Sequence, residues 1–290
     1  MKTGTISLFC SFWLIFLLIA QPLPAAQSTI TEGEGYACMG VDKSKRQTER
    51  EAMEEAKRNA VEHAVTYVKS STEVKDYQVV KDLVEAYASA KVKVVEELKK
   101  GWYRDAAAGD CYSIRIKAEV IPDEKAIEGI MKTAKLEDDP SAPLSVNLWT
   151  DKKDYRQGER MKIYLKGNKP FYARVLHRDA KGQLMQLFPN PYRKDNYFNG
   201  GVTYEVPSGR DQFELEISPP FGEENIVLFA STTPLGDIGL AKEGPLYQVK
   251  TRSADVGIRT RGVKLSGKTD GGDAAGAEFV ERQVRVTTEK

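Results

Sequence analysis

Histidine is nearly absent from this chain: 290 residues hold two, His63 and His177, together with three cysteines. That scarcity excludes histidine-rich metal centres, and neither histidine has a partner at ligand spacing. No H-E-x-x-H pattern and no cysteine pair at zinc-site separation is present. An excess of one charge is missing too, because 43 Lys+Arg face 42 Asp+Glu. A nucleic-acid module that relies on a diffuse basic surface needs a clear cationic surplus, so that class is excluded. There is no G-x-S-x-G elbow and neither glycine-rich phosphate loop. Gly33, Gly35 and Gly40 are expected instead to shape strand ends or admit close packing. The acidic pairs Asp138–Asp139 and Glu223–Glu224 are expected in solvent. The Asp270–Asp273 stretch supplies too few oxygen ligands for a calcium loop. No catalytic residue, cofactor site or metal site is expected.

Long apolar runs are also scarce. The exception, Ile6 to Ala20 (ISLFCSFWLIFLLIA), follows Lys2 and is ended by Gln21, Pro22 and Pro24. It is shorter than the roughly 20 residues that span a bilayer and has a signal peptide's proportions. Residues 1–26 are therefore read as a signal peptide, cut after Ala26 or after Ser28. An uncleaved anchor is the alternative and the sole route by which the membrane would be involved. Cys10 sits too early in the run for a lipid-attachment position and leaves with the segment. Loss of Lys2 takes the 43 basic residues to 42, equal to the 42 acidic ones. Cys38 and Cys111 then remain, an even number in a compartment where disulfides persist. Paired, they close a long loop and contribute about 4 kcal/mol on the chain-entropy model; the alternative is two buried free thiols.

Residues 27–135 read as an α+β module. TEGEGYACM (Thr31 to Met39) reads as a strand, and Thr48 with Glu51 as a capping box opening a long helix. Ala52, Ala56, Ala60, Ala64 and Val68 recur every four residues, a small-residue face that can lie close to a sheet. A second helical pattern covers Asp76 to Ala90. Lys91–Tyr103 and Cys111–Ile121 alternate as two strands of a hairpin, and Pro122-Asp123-Glu124 starts a third helix. The order β-α-α-β-β-α predicts helices on one face of a small antiparallel sheet. Residues 136–143 (LEDDPSAP) read as a linker. Residues 144–290 carry short strand patterns at Leu144–Thr150, Met161–Leu165, Phe171–His177, Leu184–Phe188, Gly201–Val206, Gln212–Ile217 and Asn225–Ser231. That spacing suggests an all-β sandwich. A mobile loop is expected over 265–276, and Ala277–Thr288 is expected to return to the sandwich edge as a last strand.

GEGYACMG, the alanine-spaced helix, KVKVVEELKKGWY and YSIRIKAEVIPDE together resemble the N-terminal module of bacterial flagellar assembly protein T and related envelope lipoproteins. SVNLWTDKKDYRQGE, FYARVLHRDAKGQLMQLFPNPY and SPPFGEENIVLFAST resemble the bacterial family of domain of unknown function 4384. That second resemblance implies an immunoglobulin-like sandwich and an accessory module of unestablished activity.

Contact surfaces are expected at the Tyr155–Glu159 turn and along Phe188 to Gly201, where Phe188, Tyr192 and Tyr197 can stack on a sugar or anchor a partner. The preferred reading of the aromatic segment is structural, with Phe188 and Tyr197 filling the end of the sandwich while prolines and glycines set its turns; the segment is the contact surface if the sandwich binds a partner. The resulting expectation is an exported bacterial envelope protein, in the periplasm or at the cell surface. It would act as a non-catalytic binding or assembly module with an envelope protein partner. A cell-wall hydrolase or its regulator, with carboxylate chemistry between the modules, and a carbohydrate-binding module are the alternatives.

Overall fold

The computed structural model describes residues 26–72, 76–262 and 276–290. Residues 1–25 of the expected signal segment 1–26 lie outside the described residues, as does the expected loop 265–276 up to residue 275. The first strand, β1 (Ala26–Cys38), starts earlier than the glycine-rich stretch alone suggests. Helix α1 (Lys45–Ser71) follows, and its capping box is Ser44 with Gln47, not Thr48 with Glu51. The reason lies in the helical phase: Thr48 falls on the stripe of Ala52, Ala56, Ala60, Ala64 and Val68, so it is buried in the packed face. Small residues on both partners set the spacing between helix and strand. A Cβ at Gly33 would stand 2.1 Å from Ala56 O, and one at Gly35 2.1 Å from Ala52 O. Only glycine permits that approach.

Helix α2 (Tyr77–Ala88) is capped by Asp76, whose carboxylate accepts from Gln78 N and Val79 N. Strands β2 (Lys91–Asp105) and β3 (Gly109–Ile121) form the expected hairpin on a shorter turn. Asp105 Oδ1 accepts from Ala108 N at 2.8 Å and Ala107 N at 2.9 Å, and these bonds hold its carboxyl below the usual range. Gly109 takes the positive φ of 81° that closes such a loop. Helix α3 (Glu124–Thr133) is capped by Asp123. Cys38 and Cys111 face each other across the β1–β3 ladder and are disulfide-bonded. The order β-α-α-β-β-α stands, with α1 packed on β1 and β3.

Residues 136–143 are a packed corner, not a loose tether. Leu136 and Ala142 are buried, and Asn168 Nδ2 donates to Asp139 O at 2.8 Å and Pro143 O at 3.1 Å. Beyond it come β4 (Val146–Thr150), β5 (Asp154–Arg156), β6 (Ile163–Gly167), β7 (Phe171–Arg178), β8 (Leu184–Phe188) and β9 (Tyr197–Phe198). The chain continues through β10 (Thr203–Val206), β11 (Glu223–Ser231), β12 (Leu240–Glu243), β13 (Leu246–Val249), α4 (Ser253–Thr260) and β14 (Gly276–Glu289). Gln212–Ile217 is not a regular strand: it meets residues 158–161 through a few backbone bonds and one bridge, Arg160 to Glu216. Its alternation is nevertheless real, with Phe213, Leu215 and Ile217 buried, and Pro219-Pro220 removes the N–H groups that would prolong the ladder.

A three-stranded sheet, β10-β6-β4, forms one layer of the sandwich. The other belongs to a long sheet ordered β12-β13-β8-β7-β11-β14-β1-β3-β2. Strand β14 is thus an interior strand and not the expected sandwich edge. It pairs β11 along Phe279–Thr287 and β1 along Gly276–Glu281, so one strand serves both regions. Its far face rests on a second apolar cluster containing Phe279, Phe229, Leu176 and Val256 of α4. Burial on both faces explains why β11 reads as an unbroken apolar run.

The β1–β14 seam is rich in buried polar groups. Arg261 donates to Glu119 Oε1 at 2.6 Å and to Glu281 Oε2 at 2.7 Å, while Ser28 Oγ donates to the same Glu119 oxygen at 2.9 Å. Glu278 accepts from Leu144 N at 2.6 Å and from Lys169 Nζ at 3.2 Å. Burial pushes the Glu278 carboxyl above its usual range, against the pull of Lys169. The two regions are joined here by a continuous ladder, and these side chains line its seam.

Candidate functional site

Strand alternation decides what looks into the space between the two sandwich layers. Along β7, His177 is in phase with the core residues Phe171, Ala173 and Val175; along β11, Glu224 is in phase with Ile226, Leu228 and Ala230. Both polar residues lie where their strands reach the same end of the sandwich, since His177 is opposite Ile226 in the ladder. There His177 Nε2 donates to Glu224 Oε2 at 2.6 Å, and Thr288 Oγ1 donates to Glu224 Oε1 at 2.9 Å. Glu224 is 3% exposed, contrary to the solvent position expected for an acidic pair. Its burial is sustained by hydrogen bonds to both carboxylate oxygens.

The layers part beyond this pair and leave a cleft of about 490 Å³. Met185, Leu187 and Ile226 make its apolar floor, and Leu215 and Ile217 add apolar lining from the wall. Asp179, Glu214, Glu216 and Glu243 stand around it together with Glu224. Its far wall is the irregular segment 214–220, and the Tyr155–Glu159 turn holds that wall. Gly158 N donates to Ile217 O at 2.9 Å, Ile217 N to Glu159 O at 2.9 Å, and Met161 N to Leu215 O at 2.8 Å.

The turn is itself braced from within. Tyr155 is fully buried, and its hydroxyl donates to Asp151 Oδ1 at 2.8 Å; burial, then that bond, push the phenol up. Glu159 accepts from Lys152 Nζ at 2.8 Å and from Arg156 N at 2.9 Å, which hold its carboxyl below the usual range. Tyr155, expected at a contact surface, is out of a partner's reach and positions the cleft wall instead. Glu159 does the same through its backbone.

The Phe188–Gly201 segment lies at the opposite end. Phe171 and His177 sit at the two ends of β7, about 20 Å apart at the usual rise per residue. Phe188 is fully buried, with its ring centroid 5.4 Å from that of Phe198, which also stacks on Phe171 at 5.3 Å. The Arg193 guanidinium covers Phe188 at 5.0 Å and Phe198 at 5.6 Å, and donates to Asp211 Oδ2 at 3.2 Å. Tyr192 and Tyr197 are the exposed members, at 54% and 45%. Each leans on another ring, Tyr192 on Phe213 at 6.4 Å and Tyr197 on Tyr172 at 5.1 Å. The five expected contact residues therefore divide between two ends of the sandwich, and Phe188 joins Tyr155 inside it.

His63 is remote from both ends; its Nδ1 donates to Glu32 O at 2.7 Å. Among the described residues no group of three His, Cys, Asp or Glu is arranged to hold a metal, and no helix is long and apolar enough to cross a membrane. The His177–Glu224 pair was not singled out from the sequence. The available signal was phase: a histidine and a glutamate in register with core positions at strand ends.

Residues 154–234 match the family model described as Domain of unknown function (DUF4384). The matched stretch contains the bracing turn, the His177–Glu224 pair, the 214–220 wall and the aromatic end. Strands β4, β12, β13 and β14 fall outside it. No curated protein matches this chain, and no solved structure matches it.

Proposed function

We propose that this chain is an exported bacterial envelope protein that works as a non-catalytic binding or assembly module, with the open end of its sandwich as the contact site. The observation that carries the reading is that open end: an apolar core left uncovered and rimmed by carboxylates. A cleft with an apolar floor and a few placed polar groups is the usual form of a binding site. Export is supported by the apolar run after Lys2 and by the Cys38–Cys111 bond, a linkage that persists in oxidising compartments. Assembly is supported by the resemblance of residues 31–135 to the flagellar assembly protein T module and by the accessory habit of the DUF4384 family.

Crosslinking with mass spectrometry in intact cells tests this reading. It is expected to return an envelope protein joined near residues 214–220 or 240–246. Absence of any neighbour, with turnover of a peptidoglycan fragment by the purified protein, would overturn it.

The His177–Glu224 pair favours a second reading, hydrolysis by acid–base chemistry in the same cleft. It would replace the first if turnover were found and were abolished by His177→Gln in a protein of unchanged stability.

A further inference from the structure

We infer that the cleft accepts an extended peptide segment carrying lysine or arginine beside apolar side chains; this rests on the reading that the open end is the contact site. Three features of the cleft point to that occupant.

The first is its charge. The lining contains five carboxylates and neither lysine nor arginine. Three of the five are already engaged: Glu224 by His177 and Thr288, Glu214 by Arg160 at 3.0 Å, and Asp179 by the backbone N–H groups of Lys181 and Gln183. No ion pair among the described residues reaches Glu216 or Glu243, both of which line the cleft. A cation entering it would be attracted by these two carboxylates, with the low-dielectric apolar lining strengthening the field.

The second is the floor. Met161 and Met185 line the cleft together with Leu215 and Ile226, and unbranched thioether side chains adapt to varied apolar partners. A purely ionic ligand such as a metal ion or polyamine would leave that floor unused.

The third is the backbone of the wall. Glu214, Leu215, Glu216 and Ile217 all line the cleft, although alternate residues of an extended segment point to opposite faces. The cleft therefore runs along the edge of the segment. Leu215 O and both backbone groups of Ile217 bond residues 158–161, while Glu214 and Glu216 have no backbone hydrogen-bond partner among the described residues. An extended peptide would add to this edge by main-chain hydrogen bonds and place alternate side chains on the floor and against the carboxylates.

Fluorescence anisotropy of the purified chain with three labelled nonapeptides tests the inference: leucine alternating with lysine, with serine, and with glutamate. The leucine–lysine peptide is expected to bind, and the glutamate peptide not to. The combined Glu216→Gln, Glu243→Gln variant should weaken binding about fivefold to tenfold with an unchanged thermal midpoint, as loss of two rim charges allows. Ser218→Trp, at the exposed mouth, should remove binding. If the serine peptide binds as tightly as the lysine peptide and only Ser218→Trp weakens them, the ligand class is wrong while the cleft remains the contact site. If no peptide binds in a manner sensitive to Ser218→Trp, or spermidine alone displaces the lysine peptide fully, the peptide inference is overturned.

Discussion

The two ends of the sandwich are built from opposite materials. At one, Phe171, Phe188, Phe198 and Tyr204 stack on one another, Arg193 lies across two of the rings, and the core is sealed. At the other, the inward-facing positions of the same strands are His177, Met185 and Glu224, and the layers stand apart. Rings that pack face to face or edge to face fill space and exclude water. A hydrogen-bonded imidazole and carboxylate satisfy each other but leave a polar rim. The conspicuous aromatic loop therefore closes one end of the fold, and the inconspicuous end, poor in aromatics, carries the cleft.

The sharpest way to break this comparison is to empty the closed end. Phe198→Ala should cost about 4 kcal/mol in guanidinium unfolding, the range for a buried ring; a loss below about 1 kcal/mol would show that the rings do not seal it. At the open end, Glu224→Ala should cost less, about 2 kcal/mol, because it strands the His177 and Thr288 donors without removing a core ring. Near-equal costs at the two sites would erase the distinction.

A pH titration separates both ends from the seam. Among the described residues, the buried Glu278 carboxyl between the regions is held above its usual range by burial. Its folded pKa lies above the ordinary value of about 4.3, so over the window above that value the folded state holds a proton the unfolded state has released. Stability should then fall as pH rises through that window, by at most about 1.4 kcal/mol per pH unit. Glu278→Gln should flatten this slope, whereas His177→Gln should leave it in place. The smallest effect is expected for Tyr192→Ala, within about 0.5 kcal/mol for an exposed side chain, with peptide binding unchanged.

Much of the fold was legible because it rests on local pattern. Alanines every fourth residue and Gly33 with Gly35 announced a helix lying close on a strand, and the even count of cysteines left after the apolar run paired Cys38 with Cys111. What was not legible depends on long-range pairing. Nothing in Ala277–Thr288 alone tells an edge strand from one shared by two regions, since its alternation is the same in both. Helix α4 has no side-chain cap and carries Gly257 in its interior, so its local signal is weak. At the candidate site, exposed-looking aromatics drew attention that phase would have redirected: Tyr155 is fixed by Asp151, and His177 stands in line with Val175.

Partners are proposed to meet this protein at the open end of the sandwich and not at the aromatic end. Photo-crosslinking in the native bacterium, from a benzoyl-phenylalanine placed at Glu216 in one strain and at Tyr192 in another, tests it most directly. Discrete adducts are expected from position 216 and none from position 192. Adducts from position 192 alone would contradict it.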